Sequence, residues 1–241
     1  MNKPTFSIIT PTRNRDGRYE RGALTRCLFS ILNQRYPYNE FEHIIVDDGN
    51  VEPVKESIDV VYRDKGVDYK VIRHDQPTER YIAYNDGMKA AKNDWIVFLD
   101  DDDEYMPIYL DYLAQAIINN PDYKLFNYGG LVCNRKDGWM RARDVVKFEH
   151  KEEAKVESGQ IVNGQFCFHR SALEHKDVWM PNTSNMYEAV DMAGIPGYSS
   201  EAKLLGNPWG QDFYIFYKLT RHYISLPLDL FLYVCYIRGS E

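Results

Sequence analysis

Trp95-Ile96-Val97-Phe98-Leu99-Asp100-Asp101-Asp102-Asp103 is the stretch on which the fold turns. Its five apolar residues, aromatic and branched, form the most strand-like run in the chain, and four aspartates follow without a spacer. Adjacent carboxylates repel one another, so the run does not serve stability by itself. An acidic run is ordinarily a solvated loop or a helix N-cap. Two features argue past that explanation. The run is tethered to a buried strand, and a second acidic pair, Asp47-Asp48, ends the apolar run FEHIIV (41–46) in the same way.

Outward from this stretch, strands and helices alternate. FSII (6–9) reads as a strand that stops at Thr10-Pro11-Thr12. Leu24, Cys27, Leu28, Ile31 and Leu32 recur at helical spacing until Pro37 and Asn39 break the pattern. Residues 69–72 form a weaker third strand, 81–91 a helix, and Leu110, Leu113, Ala114 and Ile117 outline another helix after Pro107. Such alternation predicts an α/β domain with a mostly parallel central sheet and helices on both faces. Ligands collect at the carboxyl ends of strands in sheets of this kind. Thr10-Pro11-Thr12, Asp47-Asp48-Gly49 and the aspartates at 100–103 then share one edge. The second half is less regular, with strands at 126–133 and 165–168 and a helix opening at Ser171-Ala172-Leu173-Glu174. A mostly looped segment at 180–208 and a short helix at 213–219 follow. No repeat or linker divides the chain, which predicts one domain over residues 1–241.

Composition narrows the partners. With 36 acidic against 29 basic residues, the net charge of -7 removes the broad basic footprint of a nucleic-acid binder. The four cysteines, Cys27, Cys133, Cys167 and Cys235, never fall in C-x-x-C spacing, which suits a reducing compartment and opposes a zinc ribbon. No apolar signal-peptide core precedes the first strand, and the apolar run at 226–237 contains Pro227 and Asp229. That run is also shorter than the roughly 20 residues a spanning helix needs. A soluble, cytoplasmic chain is expected, one compatible with association at the inner face of a membrane.

Carboxylates clustered on a rigid edge suit a hard divalent cation, Mg²⁺ or Mn²⁺, which binds few protein carboxylates together with phosphate oxygens and water. The acidic run lacks the glycine of a calcium loop, and neither a Walker sequence nor a G-x-G-x-x-G fingerprint is present. The implied ligand is a nucleoside diphosphate held through metal.

The order of these segments resembles glycosyltransferase family 2, inverting nucleotide-sugar enzymes of GT-A fold. Ser7-Ile8-Ile9-Thr10-Pro11-Thr12-Arg13-Asn14-Arg15 is similar to the family's opening strand and loop, Leu28-Phe29-Ser30-Ile31-Leu32-Asn33-Gln34 to its first helix, and Val46-Asp47-Asp48-Gly49 to its second-strand motif. Ala83-Tyr84-Asn85-Asp86-Gly87-Met88-Lys89-Ala90-Ala91 and the stretch at 95–103 resemble its signature ending in the D-x-D metal motif. Further on, Trp209-Gly210-Gln211-Asp212 resembles the segment that carries the catalytic base, with Gln211 where the family has glutamate. Tyr236-Ile237-Arg238-Gly239-Ser240 lacks the family's C-terminal histidine, a metal ligand.

The resemblance implies a GT-A domain whose nucleotide-sugar half covers about residues 1–112 and whose acceptor half covers about 113–241. It implies Mn²⁺ or Mg²⁺ as cofactor, a UDP-sugar as the expected donor with GDP and dTDP open, and a carbohydrate or other hydroxyl as acceptor. Asp102 is implied as metal ligand and Asp100 as a contact to the ribose or to the metal. Asp101 and Asp103 are divided between function and a solvated loop. Asp48, with Asp47 as the alternative, would accept a hydrogen bond from the pyrimidine. Pro11 and Arg13 would border base and ribose, and Arg80 would face the pyrophosphate or form a surface ion pair. Asp212 would act as the base or, on the plainer reading, cap the helix at 213–219. His169, His175 and His222 have no mutual metal-ligand spacing and are expected to be surface or packing histidines. Trp179, Tyr187, Tyr198 and Trp209 offer faces for an acceptor sugar, with core packing the default for each. Two other classes compete: a non-catalytic binding module of the same fold, and a nucleotidyltransferase, whose glycine- and lysine-rich first loop is absent.

Overall fold

Side chains alternate along the first strand, Phe6 and Ile8 to one face and Ile9 to the other, and all three are fully buried. This pattern belongs to a strand covered on both faces. The computed structural model describes residues 3–13, 22–78, 80–134, 139–143, 165–179 and 211–237. The described strands are β1 (Phe6–Thr12), β2 (Phe41–Asp48), β3 (Asp68–His74), β4 (Trp95–Phe98), β5 (Glu104–Tyr105), β6 (Leu125–Asn134), β7 (Trp139–Arg143), β8 (Gln165–His169) and β9 (Ser225–Ile237). The helices are α1 (Ala23–Leu32), α2 (Lys55–Tyr62), α3 (Arg80–Ala90), α4 (Tyr109–Asn119) and α5 (Gln211–Thr220).

The sheet runs β3-β2-β1-β4-β8-β6-β9-β5, with β7 paired to β6. Its first four strands are parallel: Phe6 of β1 stands beside Phe41 of β2 on one side and Trp95 of β4 on the other. The chain works outward from β1 through β2 to β3 and then returns to β4 across β1, so the reversal of strand order falls beside β1. Beyond β4 the sheet continues through antiparallel β8. Helices lie on both faces, as expected. Leu28 and Ile31 of α1, Ile58 and Tyr62 of α2 and Leu113 of α4 pack against Phe6, Ile8, Val97 and Leu99. On the opposite face Tyr84 and Met88 of α3 and Ile215 and Leu219 of α5 pack against Ile9, Ile44, Ile96 and Phe98. Each such side chain contributes about 1.5–3 kcal/mol when fully buried.

Several elements depart from the sequence expectations. α2 was not anticipated, because only Ile58 and Tyr62 of its eight residues are buried while Val60 is exposed. The helix expected at Ser171 is instead a pair of 3-10 turns, Arg170–Glu174 and Lys176–Val178. α5 starts two residues before the expected 213–219 helix. The apolar run at 226–237 is a strand beside β6, with Pro227 in register opposite Asn127, and its register shifts on either side of Gly129, which pairs with Phe231 directly after Tyr128 pairs with Leu228. The segment 180–208, expected as loop, lies outside the described residues. Five of the 19 tyrosines, Tyr62, Tyr84, Tyr109, Tyr128 and Tyr233, are among the largest fully buried side chains. Tyr105 stacks on Tyr109 at 3.6 Å, and the Tyr109 and Tyr128 hydroxyls share a hydrogen bond.

Candidate active site

Because β-strand side chains alternate, the two aspartates that end β2 leave on opposite faces of the sheet. Asp47 turns toward α2 and is wholly buried. Its Oδ1 accepts from the Asn50 amide side chain at 2.6 Å, and its Oδ2 accepts from the Val54 N–H at 3.2 Å and from Arg73 at 2.5 Å. Four protein donors, counting the Asn50 N–H at 3.3 Å, thus hold Asp47 as the fastener of the loop that leads into α2.

Asp48 turns the other way. Its Oδ1 accepts from the Thr78 N–H at 2.8 Å, the Thr78 hydroxyl at 2.5 Å and His74 Nδ1 at 2.9 Å. Its Oδ2 lies 3.6 Å from an Arg13 guanidinium nitrogen that donates to the Thr78 carbonyl at 2.8 Å. Burial pushes the Asp48 carboxyl up, but the bonds from His74 and Thr78 outweigh it and hold the group below the usual carboxylate range. Gly49 makes this closeness attainable. Its φ is +69°, and a Cβ there would stand 2.2 Å from the Pro77 nitrogen, so only glycine lets the β2 loop press on residues 76–78.

The end of β4 carries the acidic run. The Asp103 N–H donates to the Asp100 carbonyl at 3.1 Å, which closes the four aspartates into a turn. The turn gathers carboxylate oxygens of Asp100, Asp102 and Asp103 within 4.8 Å of one another. Asp101 is buried and stands outside that group. Asp100 Oδ1 accepts from Arg80 at 2.5 Å and from the Tyr84 hydroxyl at 2.9 Å. Burial raises the Asp100 carboxyl, yet the Arg80 charge and these bonds keep it low. Asp103, also buried, accepts from the Tyr236 N–H of β9 at 3.0 Å. Burial lifts its carboxyl well above the usual range, and the charges of Asp100 and Asp102 add to that. Three hard oxygen donors gathered this closely suit a divalent cation, toward which they would turn slightly inward, since its opposite ligands in an octahedron of ~2.1 Å bonds stand ~4.2 Å apart. A cation would also relieve the mutual repulsion.

The structure therefore groups Asp48 with Arg13 and Asp100 with Arg80, at the ends of β2 and β4, while Pro11 sits at the end of β1 beside Val46. Three participants escaped the sequence reading: His74, Thr78 and Tyr84. His74 had a signal, since it ends the third strand as Asp48 ends the second, and the two are in register. The three histidines considered there pack, with His175 stacked on His222 at 3.8 Å, His222 on Asp177 at 2.9 Å and His169 on Ser171 at 2.8 Å. Trp179 donates to the Leu173 carbonyl at 2.9 Å and packs on the core. Asp212 falls in the first turn of α5, within the helix rather than before it. Its side chain, together with Tyr187, Tyr198 and Trp209, lies outside the described residues.

The chain is similar to known proteins in sequence and in fold. A sequence profile for Glycosyl transferase family 2 matches residues 7–175, from β1 to the turns after β8. The chain belongs to glycosyltransferase family 2. Among family 2 relatives, it is 32% identical over 170 residues to the poly(ribitol-phosphate) beta-N-acetylglucosaminyltransferase TarP of Staphylococcus aureus, covering 70% of this chain and 47% of TarP. It is 24% identical over 230 residues to a Bacillus spizizenii poly(ribitol-phosphate) beta-glucosyltransferase, covering 92% of this chain and 33% of that protein. The S. aureus TarS structure in complex with UDP superposes with a TM-score of 0.63 at 20% identity, over 97% of this chain and 60% of that one. The fold is thus the GT-A-like one of that neighbour. The chain spans about a third to three fifths of the length of curated relatives that it matches. No described helix is long and apolar enough to cross a membrane.

Proposed function

We propose that this chain is a metal-dependent inverting glycosyltransferase that moves a sugar from a UDP-sugar to an acceptor hydroxyl. The observation that carries the proposal is the convergence of Asp100, Asp102 and Asp103 at the same sheet edge as Asp48. In this scheme Asp48 accepts from the uracil N–H, Pro11 and Arg13 border base and ribose, and Arg80 faces the pyrophosphate. Asp102 and Asp100, joined by Asp103, would hold Mn²⁺ or Mg²⁺, which supplies stabilisation of the charge on the departing diphosphate. Asp101 stands in the wall of the donor site. Asp212 takes the proton of the acceptor hydroxyl as that oxygen attacks the anomeric carbon opposite the leaving group. Bond formation and departure in one displacement invert the configuration. Relatives named for poly(ribitol-phosphate) suggest a polyol or carbohydrate polymer as acceptor, made at the cytoplasmic face of a membrane.

The test is release of UDP from a panel of UDP-sugars with Mn²⁺. Asp212→Asn should abolish turnover while donor binding persists, and Asp102→Ala should lose the Mn²⁺-dependent part of donor binding without unfolding. Unchanged calorimetric binding by the Asp102 variant would remove the metal assignment. Tight UDP binding with no turnover on any donor would favour a binding module.

A further inference from the structure

His74 ends β3 and faces Asp48 across the β2–β3 ladder. Its imidazole stands between two carboxylates, with Nδ1 2.9 Å from Asp48 Oδ1 and Nε2 3.1 Å from Asp86 Oδ2. Ionised carboxylates only accept, so both contacts are hydrogen bonds when both ring nitrogens carry hydrogen. The side chain is 13% exposed, so the two carboxylates rather than bulk water satisfy the ring. Asp86 is itself held from the far side by Lys89 at 2.8 Å. With the two Thr78 bonds, three donors converge on Asp48 Oδ1. They fix the rotation of the carboxylate, and none of them reaches Oδ2. The closest described cation to Oδ2, Arg13, sits beyond a normal hydrogen bond at 3.6 Å and donates to Thr78.

We propose that His74, tied back to Asp86, is a positioning residue that makes this pocket select uridine over cytidine. By anchoring Oδ1 it presents Oδ2 as a fixed, charged acceptor. The uracil N3–H donates to such an oxygen, whereas cytosine N3 is itself an acceptor and meets two lone pairs in opposition. A carboxylate free to turn or to take up a proton could donate to cytosine, and the discrimination would fade. This inference rests on the donor assignment above and sharpens it to the base.

The experiment measures UDP and CDP binding by calorimetry with Mn²⁺ for the wild type, His74→Asn, His74→Gln and Asp86→Ala, with thermal melts as a folding control. Asparagine places its amide where Nδ1 stands and keeps a donor on Asp48. Glutamine reaches toward the Nε2 position and leaves Asp48 one donor short. The wild type should prefer UDP by on the order of tenfold or more, as expected when a buried acceptor is left facing another acceptor. His74→Asn should retain most of that preference, and His74→Gln should lose most of it. Asp86→Ala, which is not expected to touch the nucleotide, should narrow it too and carries the test if the glutamine variant does not fold. A general structural role for His74 would lower the melting temperature of both His74 variants and leave the UDP-to-CDP ratio alone. Wild-type ratios in His74→Gln and Asp86→Ala overturn the inference while the nucleotide site stands. A wild type that binds neither nucleotide overturns the donor assignment and the inference together.

Discussion

His43 shows how one residue beneath the site makes stability depend on pH. It lies in β2 on the face opposite Asp48, fully buried, with Nδ1 2.6 Å from the Tyr62 hydroxyl and Nε2 2.9 Å from the Thr10 hydroxyl. A neutral ring satisfies both contacts, one nitrogen accepting and the other donating. Burial pushes its pKa down to about 3. The unfolded chain therefore binds a proton that the folded one refuses, and stability is complete above pH ~6.5 and declines as pH falls from there toward about 3. At pH 5.5 the loss is roughly 1.4 kcal/mol from this group. Urea midpoints at pH 7.5 and 5.5 should show it, and His43→Gln should remove that part of the slope while lowering stability at both values. Equal slopes in the two proteins would refute the assignment. Among the acids, the pairing of Asp100 with Asp102 was legible from D-x-D spacing, but Asp103 was not. Its membership depends on a turn that closes through Asp100 and on the Tyr236 N–H, a contact 133 residues away.

At the scale of elements, α3 is the part that aims the site, since it carries Arg80, Tyr84 and Asp86. Its seat on β1 is set by Gly87, where an added Cβ would stand 2.3 Å from the Ile9 Cγ2. Ile9 is fully buried at the centre of the parallel strands and cannot yield easily. Gly87→Ala would gain about 1 kcal/mol of helix propensity and lose about 1–3 kcal/mol to overpacking, so a net loss of stability is expected. In Ile9→Ala the clash disappears, so the double variant should be less destabilised than the sum of the singles. Denaturant unfolding of all four proteins measures this, and strict additivity would show that α3 does not bear on Ile9. The same contact explains what could be foreseen. β4 was visible because it buries a continuous apolar run, α3 because Tyr81, Tyr84 and Met88 recur at helical spacing, and β3, which buries none of its residues fully, read only weakly. α2 was hidden because a single pair, Ile58 and Tyr62, is all it buries. β9 was hidden because Pro227 and Asp229 interrupt its pattern, and the register shift that follows Leu228 is a property of its pairing with β6.

For the molecule as a whole, strand order decides where chemistry can occur. The sequence showed that three strand ends carry Pro11, Asp48 and Asp100, and alternation implied a shared edge. It could not show that β1 stands between β2 and β4, which is what brings the three ends side by side at the point where the order reverses. A UDP-sugar bound there would draw on groups from β1, β2, β3, α3 and the turn after β4, elements held together by both cores. Binding should therefore protect the fold as a unit. A nucleotide at ~100 times its Kd adds roughly 2.7 kcal/mol, which for a domain of this size corresponds to a rise of roughly 5–10 °C in melting temperature. The rise should be larger with Mn²⁺ and UDP together than with UDP alone, because a cation held by Asp100, Asp102 and Asp103 would offset the burial and like charge that lift the Asp103 carboxyl. Chelation should shrink the shift to its small metal-independent part, and Asp102→Ala should show that same small shift with and without Mn²⁺. A full UDP shift in the presence of chelator would mean that the strand ends hold the nucleotide without help from the acidic turn, and that the aspartates at 100–103 serve another purpose.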